Sequence, residues 1–259
     1  GKESIAIPEK RRKPKRKITI EGAQQFNLKN ITVDIPLNCL TCVTGVSGSG
    51  KSSLIGDILY PALRKAKGIS NDTQGIYSKI SGDLDTIQNV EFIDQNPIGK
   101  SSRSNPGTYL NALDEIRELF SRQKLAKTRG YKPGFFSFNV QGGRCEACEG
   151  EGTITVGMQF MADVHLECET CKGKRYKTET LDILYKDKTI HDILEMSLDD
   201  ALIFFGAQEE RLESKILKKI RPLVDVGLGY LKLGQPSSTL SGGEAQRIKL
   251  ASFLAKGNK

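Results

Sequence analysis

The sequence predicts an α/β fold carrying a helix-rich inserted domain, and three features predict it. A glycine-rich loop, "GVSGSGKSS" at 45–53, lies between a short apolar run and a segment with helical apolar spacing. Two Cys-x-x-Cys pairs, Cys145/Cys148 and Cys168/Cys171, follow about a hundred residues later with 19 residues between them. Near the end, Ser241 and Glu244 have the spacing of a helix-starting capping box.

The elements follow in order. Residues 1–17 form a basic arm, in which "KRRKPKRK" (10–17) supplies seven of the net +8 charges. Such a run is either a solvated linker or an arm that touches phosphates. Residues 18–20 and 31–35 alternate as half-buried strands. "LTCVTG" (40–45) reads as a buried strand, with Cys39 and Cys42 as small apolar residues in or beside it. Leu54, Ile55, Ile58 and Leu59 then mark a helix, and "NVEFID" (89–94) another buried strand, followed by Gln95. Residues 109–126 read as one amphipathic helix, and 153–166 as a hairpin between the cysteine pairs. Helices are expected at 198–205, 208–224 and 244–256. These elements divide the chain into the arm (1–17), a core lobe (18–110) and a further domain (111–259) holding the cysteine module at about 140–180.

Composition narrows the class. With 37% hydrophobic and 27% charged residues the chain is globular in type, and no apolar run approaches the roughly 18–20 residues that span a bilayer. The charged start is unlike a secretory signal, so a cytoplasmic setting is expected, with no membrane partner. The start at Gly1, without Met, reads as a piece of a longer protein.

Three motifs carry chemistry. Gly45-Val46-Ser47-Gly48-Ser49-Gly50-Lys51-Ser52 matches G-x-x-x-x-G-K-[ST] in full. Its glycines let backbone N–H groups curl around phosphates, with Lys51 reaching the β- and γ-phosphates and Ser52 a Mg²⁺. Ser53 completes the expected nucleotide-binding set, and Gln95 is a candidate for the metal or its water. In Leu240-Ser241-Gly242-Gly243-Glu244, continued by Gln246 and Arg247, a capped helix end bears bare N–H groups, a second anion site. Cys145, Cys148, Cys168 and Cys171 have the spacing of a closed structural Zn²⁺ site, which makes His165 unnecessary as a ligand. Gly150 and Gly173, two residues past each pair, are expected to let amides turn back to the thiolates. Six acidic residues and no Lys or Arg lie between Cys145 and Cys171, so if the module touches DNA the flanks must do it: Arg144 on one side and Lys172, Lys174, Arg175 and Lys177 on the other. Residues 100–144 form a second basic stretch, with nine basic residues against three acidic.

"LSGGEAQR" resembles the signature motif of ABC-type ATPases, and with the phosphate loop and the Gln95 segment it implies a P-loop NTPase of ABC type with an inserted helical signature domain. That domain would carry the Cys₄ zinc module. In that superfamily the signature helix caps the γ-phosphate held by a partner domain's phosphate loop. "NLKNITVDIP", "CVTGVSGSGKSSL", "DQNPIGKSSRSNPGTY", "FSFNVQGGRCEACEGEG", "CKGKRY" and "LGQPSSTLSGGEAQRIKLASFLAK" extend the resemblance from about Ile18 to Lys259. Together they are similar to the UvrA family, the damage-sensing ATPase subunit of the bacterial excinuclease, in its C-terminal ATPase half. The resemblance implies ATP, Mg²⁺ and Zn²⁺ as cofactors. It also implies lesion-bearing double-stranded DNA and UvrB as partners, and a homodimer as the intact assembly. The family's apolar strand ending in Asp-Glu, and the histidine beyond it, are not found after the signature helix here, so little or no hydrolysis is expected of this segment alone. Three rivals remain: a UvrA-like paralogue for drug self-resistance, the nucleotide-binding subunit of an ABC transporter, and a chaperone-type zinc module. "CETCKGKR" lacks the second glycine that the chaperone pattern requires.

Overall fold

The computed structural model describes residues 6–7, 9–11, 13–69, 75–99, 103–158, 164–207 and 211–256. Expectations that involve Arg12, Lys100, Asp163 and residues 208–210 lie outside these. The chain divides into two units, Gly1–Phe92 and Ile93–Lys259.

In the first unit, β1 (Lys17–Ala23) pairs antiparallel with β2 (Ile31–Pro36) on one side and β3 (Lys79–Gly82) on the other. The registers set Ile20 opposite Val33 and Ile80, so one face of the sheet is apolar. Ile20 and Ala23 from that face pack with Leu54 and Ile58. These come from a helical run made of Ser53–Leu59, wound in π-type turns, and α1 (Tyr60–Ala66). The helix thus buries the stripe its spacing predicts.

Two expected strands are corrected. Residues 40–45 and 89–94 have extended or irregular backbone but join no sheet, and residues 40–49 are exposed. Cys39 and Cys42 are likewise exposed rather than buried. A strand needs a neighbour to complete its ladder. Both edges of β1 are already taken, and no strand among the described residues pairs with either segment.

The second unit is mostly helical. The helix expected at 109–126 is three: α2 (Pro106–Tyr109), α3 (Ala112–Ser121) and α4 (Lys124–Thr128). Asn111 breaks the run at φ 56°, a left-handed conformation that Asn tolerates better than most residues, and Gln123 breaks it again with extended backbone. Next come the expected hairpin, β4 (Thr153–Val156) paired with β5 (Val164–Glu167), and then α5 (Thr178–Leu181) and α6 (Ile190–Glu195). Helices α7 (Leu198–Gly206), α8 (Arg211–Asp225) and α9 (Gly242–Lys256) complete the unit. Helix α8 is central, since α3, α7 and α9 all pack on it. Its Ile216, Leu217, Ile220 and Leu223 join Ile116, Phe120, Phe136 and Phe205 in one buried core.

This arrangement makes two similar side chains unequal. Ile216 is fully buried and Ile203 on α7 is 74% exposed. Ile216→Ala is expected to lower unfolding stability by about 2–5 kcal/mol, and Ile203→Ala to change it by no more than about 0.5 kcal/mol, in denaturant titrations.

Candidate functional site

Positive φ at Gly45 (155°), Gly48 (76°) and Gly50 (91°) curls the phosphate loop, and the helical run starts directly after it. At Gly50 a side chain would also collide, since a Cβ would lie 2.7 Å from Leu28 Cδ2. Lys51 Nζ donates to the carbonyls of Gly45 (2.9 Å) and Val46 (2.7 Å), so the ammonium is folded into its own loop. Gly48, Gly50, Lys51, Ser52 and Ser53 line a cavity of about 210 Å³ together with Phe26 and Asn27. Those last two were missed in the sequence. Phe26 is 77% exposed at φ 53°, and Asn27 Nδ2 donates to the Gly48 carbonyl. An aromatic residue in a polar stretch without periodicity offers no signal of its own. Ser47 and Ser49 lie on the exposed side of the loop.

The capped helix forms as its spacing predicts. Ser241 N–H (2.7 Å) and Oγ–H (2.9 Å) donate to Glu244 Oε2, and Glu244 N–H returns a bond to Ser241 Oγ (3.3 Å). Ser241, Gly242 and Gly243 are exposed, while Leu240 tucks against the core. A Cβ at Gly243 would meet nothing within 4 Å, so packing does not require glycine there. What glycine preserves is a helix end with uncovered N–H groups.

Gln95 lies beside this helix start, with its Cβ 3.5 Å from the position a Cβ on Gly242 would take. Its segment is strapped along α9: Gln246 Nε2 donates to the Ile93 carbonyl (3.4 Å), and Lys249 pairs with Asp94. The hydrogen bond from Lys249 holds the Asp94 carboxyl below its ordinary range. Arg247 donates to the carbonyls of Gly227 (3.3 Å) and Val226 (3.5 Å).

The four cysteines converge. All are buried, and their sulfurs lie within 4.8 Å of one another. Cys145 Sγ is 3.9 Å from Cys168 Sγ, and Cys148 Sγ is 3.6 Å from Cys171 Sγ. Tetrahedral Zn–S bonds of about 2.3 Å would set the sulfurs about 3.8 Å apart, so the donor set fits Zn²⁺. After each pair the chain reverses through two left-handed residues, Glu149–Gly150 and Lys172–Gly173. At Gly150 a Cβ would lie 2.0 Å from the Phe138 carbonyl oxygen. Gly152 N–H donates to Cys148 Sγ (3.2 Å), and Gly150 N–H donates to the Cys145 carbonyl (3.0 Å). In the second pair this part is played by the amides of Thr170, Cys171 and Arg175, not by Gly173. Burial pushes the Cys171 thiol up to about 12. Burial raises Cys168 too, but hydrogen bonds from the amide and thiol of Cys171, the Thr170 amide and the Cys148 thiol together outweigh it and bring that thiol down to about 7. His165 stays outside the cluster, with Nδ1 2.9 Å from Thr155 Oγ1.

The flanking basic residues separate. Lys172, Lys174 and Lys177 line one cavity of about 640 Å³. Arg144 is only 8% exposed, pairs with Glu146 and lies near the Asn139 carbonyl, so it is poorly placed to meet DNA. Arg175 stacks over the Phe138 ring at 5.5 Å and lines a different cavity. Among the described residues no helix is long and apolar enough to cross a membrane.

A chelator strong enough to strip Zn²⁺, or Cys168→Ser, is expected to remove one metal ion per chain and to lower the thermal midpoint, because a structural site contributes its binding energy to folding. Affinity should fall with falling pH, since each thiol must lose its proton to bind. Metal analysis and thermal melts test this, and an unchanged midpoint in the metal-free chain would refute it.

No family model matches the chain. UvrABC system protein A of Clostridium perfringens is 54% identical over 257 residues, covering 99% of this chain and 27% of that protein. The protein of the same description from Aquifex aeolicus is 55% identical with the same shares. The crystal structure of UvrA2 from Deinococcus radiodurans superposes with a TM-score of 0.86 at 43% identity, covering 97% of this chain and 29% of that one. The chain therefore spans about a quarter of the length of the curated relatives it matches. The matched stretch runs through the phosphate loop, the four-cysteine module and the capped helix alike, so the chain is similar to UvrABC system protein A along nearly its whole length and has the ABC-type ATPase fold of UvrA2.

Proposed function

We propose that this segment is the nucleotide-binding and DNA-binding part of a nucleotide excision repair damage-recognition subunit, drawn from its C-terminal ATPase half. The observation that carries this reading is the presence of phosphate loop, signature helix and Cys₄ cluster in one chain that matches UvrABC system protein A over 99% of its length. Lys51 would hold the β- and γ-phosphates of ATP, the loop N–H groups would cradle them, and Ser52 would hold Mg²⁺. Gln95 would meet the metal or its water. The bare N–H groups at Gly242 and Gly243 would meet the γ-phosphate of a nucleotide held by another domain, as the resemblance implies. Bound Mg²⁺ supplies charge neutralisation at the phosphates. Turnover by the segment alone is expected to be low, because the signature helix serves a phosphate loop in trans.

In the intact protein this part would serve ATP-dependent lesion recognition and the loading of UvrB, in a cytoplasmic homodimer. In this reading the chain divides into an arm to 17, a core lobe at 18–110 and a signature domain at 111–259, although its two compact units divide between Phe92 and Ile93.

DNA contact is assigned to Lys172, Lys174 and Lys177, which share one hollow. The test is fluorescence anisotropy of the zinc-loaded chain on lesion-bearing and intact duplexes at two salt concentrations. Binding should weaken with salt, and removing the three charges should flatten the log–log slope by about one unit per charge. An unchanged slope rejects this surface. Lys51→Ala is expected to weaken nucleotide binding at least about tenfold by calorimetry, because a charge-assisted phosphate contact is lost.

A further inference from the structure

We infer that Tyr230 is a positioning residue for the signature helix, holding the Glu244 carboxylate in the cap so that Ser241 and the bare N–H groups stay ordered for phosphate. The inference rests on the ATP reading above.

The geometry begins with Glu244. Its Oε2 accepts both the N–H and the hydroxyl of Ser241, and its Oε1 accepts the Tyr230 hydroxyl at 2.6 Å. Both oxygens are therefore engaged, one within the cap and one from the loop that ends α8. Tyr230 is 58% exposed, so core packing does not account for its place. Its hydroxyl is the attachment. One turn further along α9, Arg247 donates to the carbonyls of Val226 and Gly227 in the same loop. The first two turns of α9 are thus tied to residues 226–230 by one side chain from each partner. Gly227 makes the approach possible with φ 77°, and the Gly229 carbonyl accepts from the Asp199 amide, anchoring the loop to α7.

The physical need is electrostatic. A glutamate in the first turn favours the helix, but it also puts a negative charge next to a place meant for a phosphate. If Oε1 were free, the carboxylate could rotate out of the cap and compete for the same N–H groups. The Tyr230 hydrogen bond spreads its charge and opposes that rotation. Loss of the hydroxyl should leave the fold intact and disorder only the cap.

The test uses the full-length protein that carries this segment. Tyr230→Phe is expected to lower kcat for ATP about three- to tenfold with KM unchanged, because one hydrogen bond is lost at a site that acts only once the phosphate is held elsewhere. The thermal midpoint should not move. In a Glu244→Gln background the same substitution should have less than about half its effect on a logarithmic scale, because the two residues act as one unit. Unchanged kcat in Tyr230→Phe, a rise in KM alone, or full additivity with Glu244→Gln overturns the inference. Nucleotide binding by this segment separates the two levels. If Lys51→Ala weakens that binding in calorimetry while Tyr230→Phe leaves kcat unchanged, only this inference fails. If nucleotide binding by the segment is unchanged in Lys51→Ala, the ATP reading fails and takes this inference with it.

Discussion

Four thiols within 4.8 Å of one another, all buried, are the constraint on which the second unit's organisation turns. Four thiolates cannot share a buried site unless a cation balances them, and four thiols would leave that volume poorly bonded. The chain spends two left-handed turns and several backbone amides on making the cluster. It then ties the cluster to the helices. Cys145 N–H donates to the Arg175 carbonyl, Lys177 N–H donates to the Gly143 carbonyl, and the buried Tyr176 hydroxyl reaches the Phe136 carbonyl. Phe136 lies in the same core as α8. The cysteine module is therefore joined to the helical core, and disruption of the cluster would release more than a loop.

The second design element is a bare backbone helix start, once in each unit, which the proposed function reads as an anion receptor. In the phosphate loop it depends on glycines at positive φ, which other residues adopt only with strain. In α9 it depends on glycines that packing does not demand. The two differ in support. The loop is closed by its own lysine. The α9 start is held from outside, by Leu240 in the core, by the Gln95 segment and by the 226–230 loop.

Local signals were legible and long-range ones were not. The phosphate loop, the cysteine spacing, the hairpin and the Ser241–Glu244 cap each depend on residues a few positions apart, and each formed. The apolar runs at 40–45 and 89–94 were misread because a strand is a property of a pair, and periodicity says nothing of the partner. The 109–126 run was misread because its apolar spacing continues across Asn111 and Gln123, where the backbone does not. Asn27 and Tyr230 went unseen because each bonds a residue distant in sequence: Gly48 lies 21 positions from Asn27, and Glu244 lies 14 from Tyr230.

The acidic character of the cysteine module also changes meaning in three dimensions. By sequence its carboxylates should repel a polyanion. In the fold Glu149 and Glu151 are paired with Arg103, which comes from the segment before α2, at 3.1 Å and 3.5 Å. Glu146 lies 3.5 Å from Arg144 and 3.7 Å from Lys177. Three of the module's carboxylates are thus partly neutralised, two by Arg103 from outside it and one by Arg144 and Lys177 at its flanks, while Lys172 and Lys174 remain exposed. Screened at the Debye length of about 8 Å in physiological salt, a phosphate at their hollow would feel the exposed lysines lining it more than carboxylates already paired with Arg103. A module that is acidic in sequence can therefore present a basic surface, and its sign is decided by which charges the fold pairs internally.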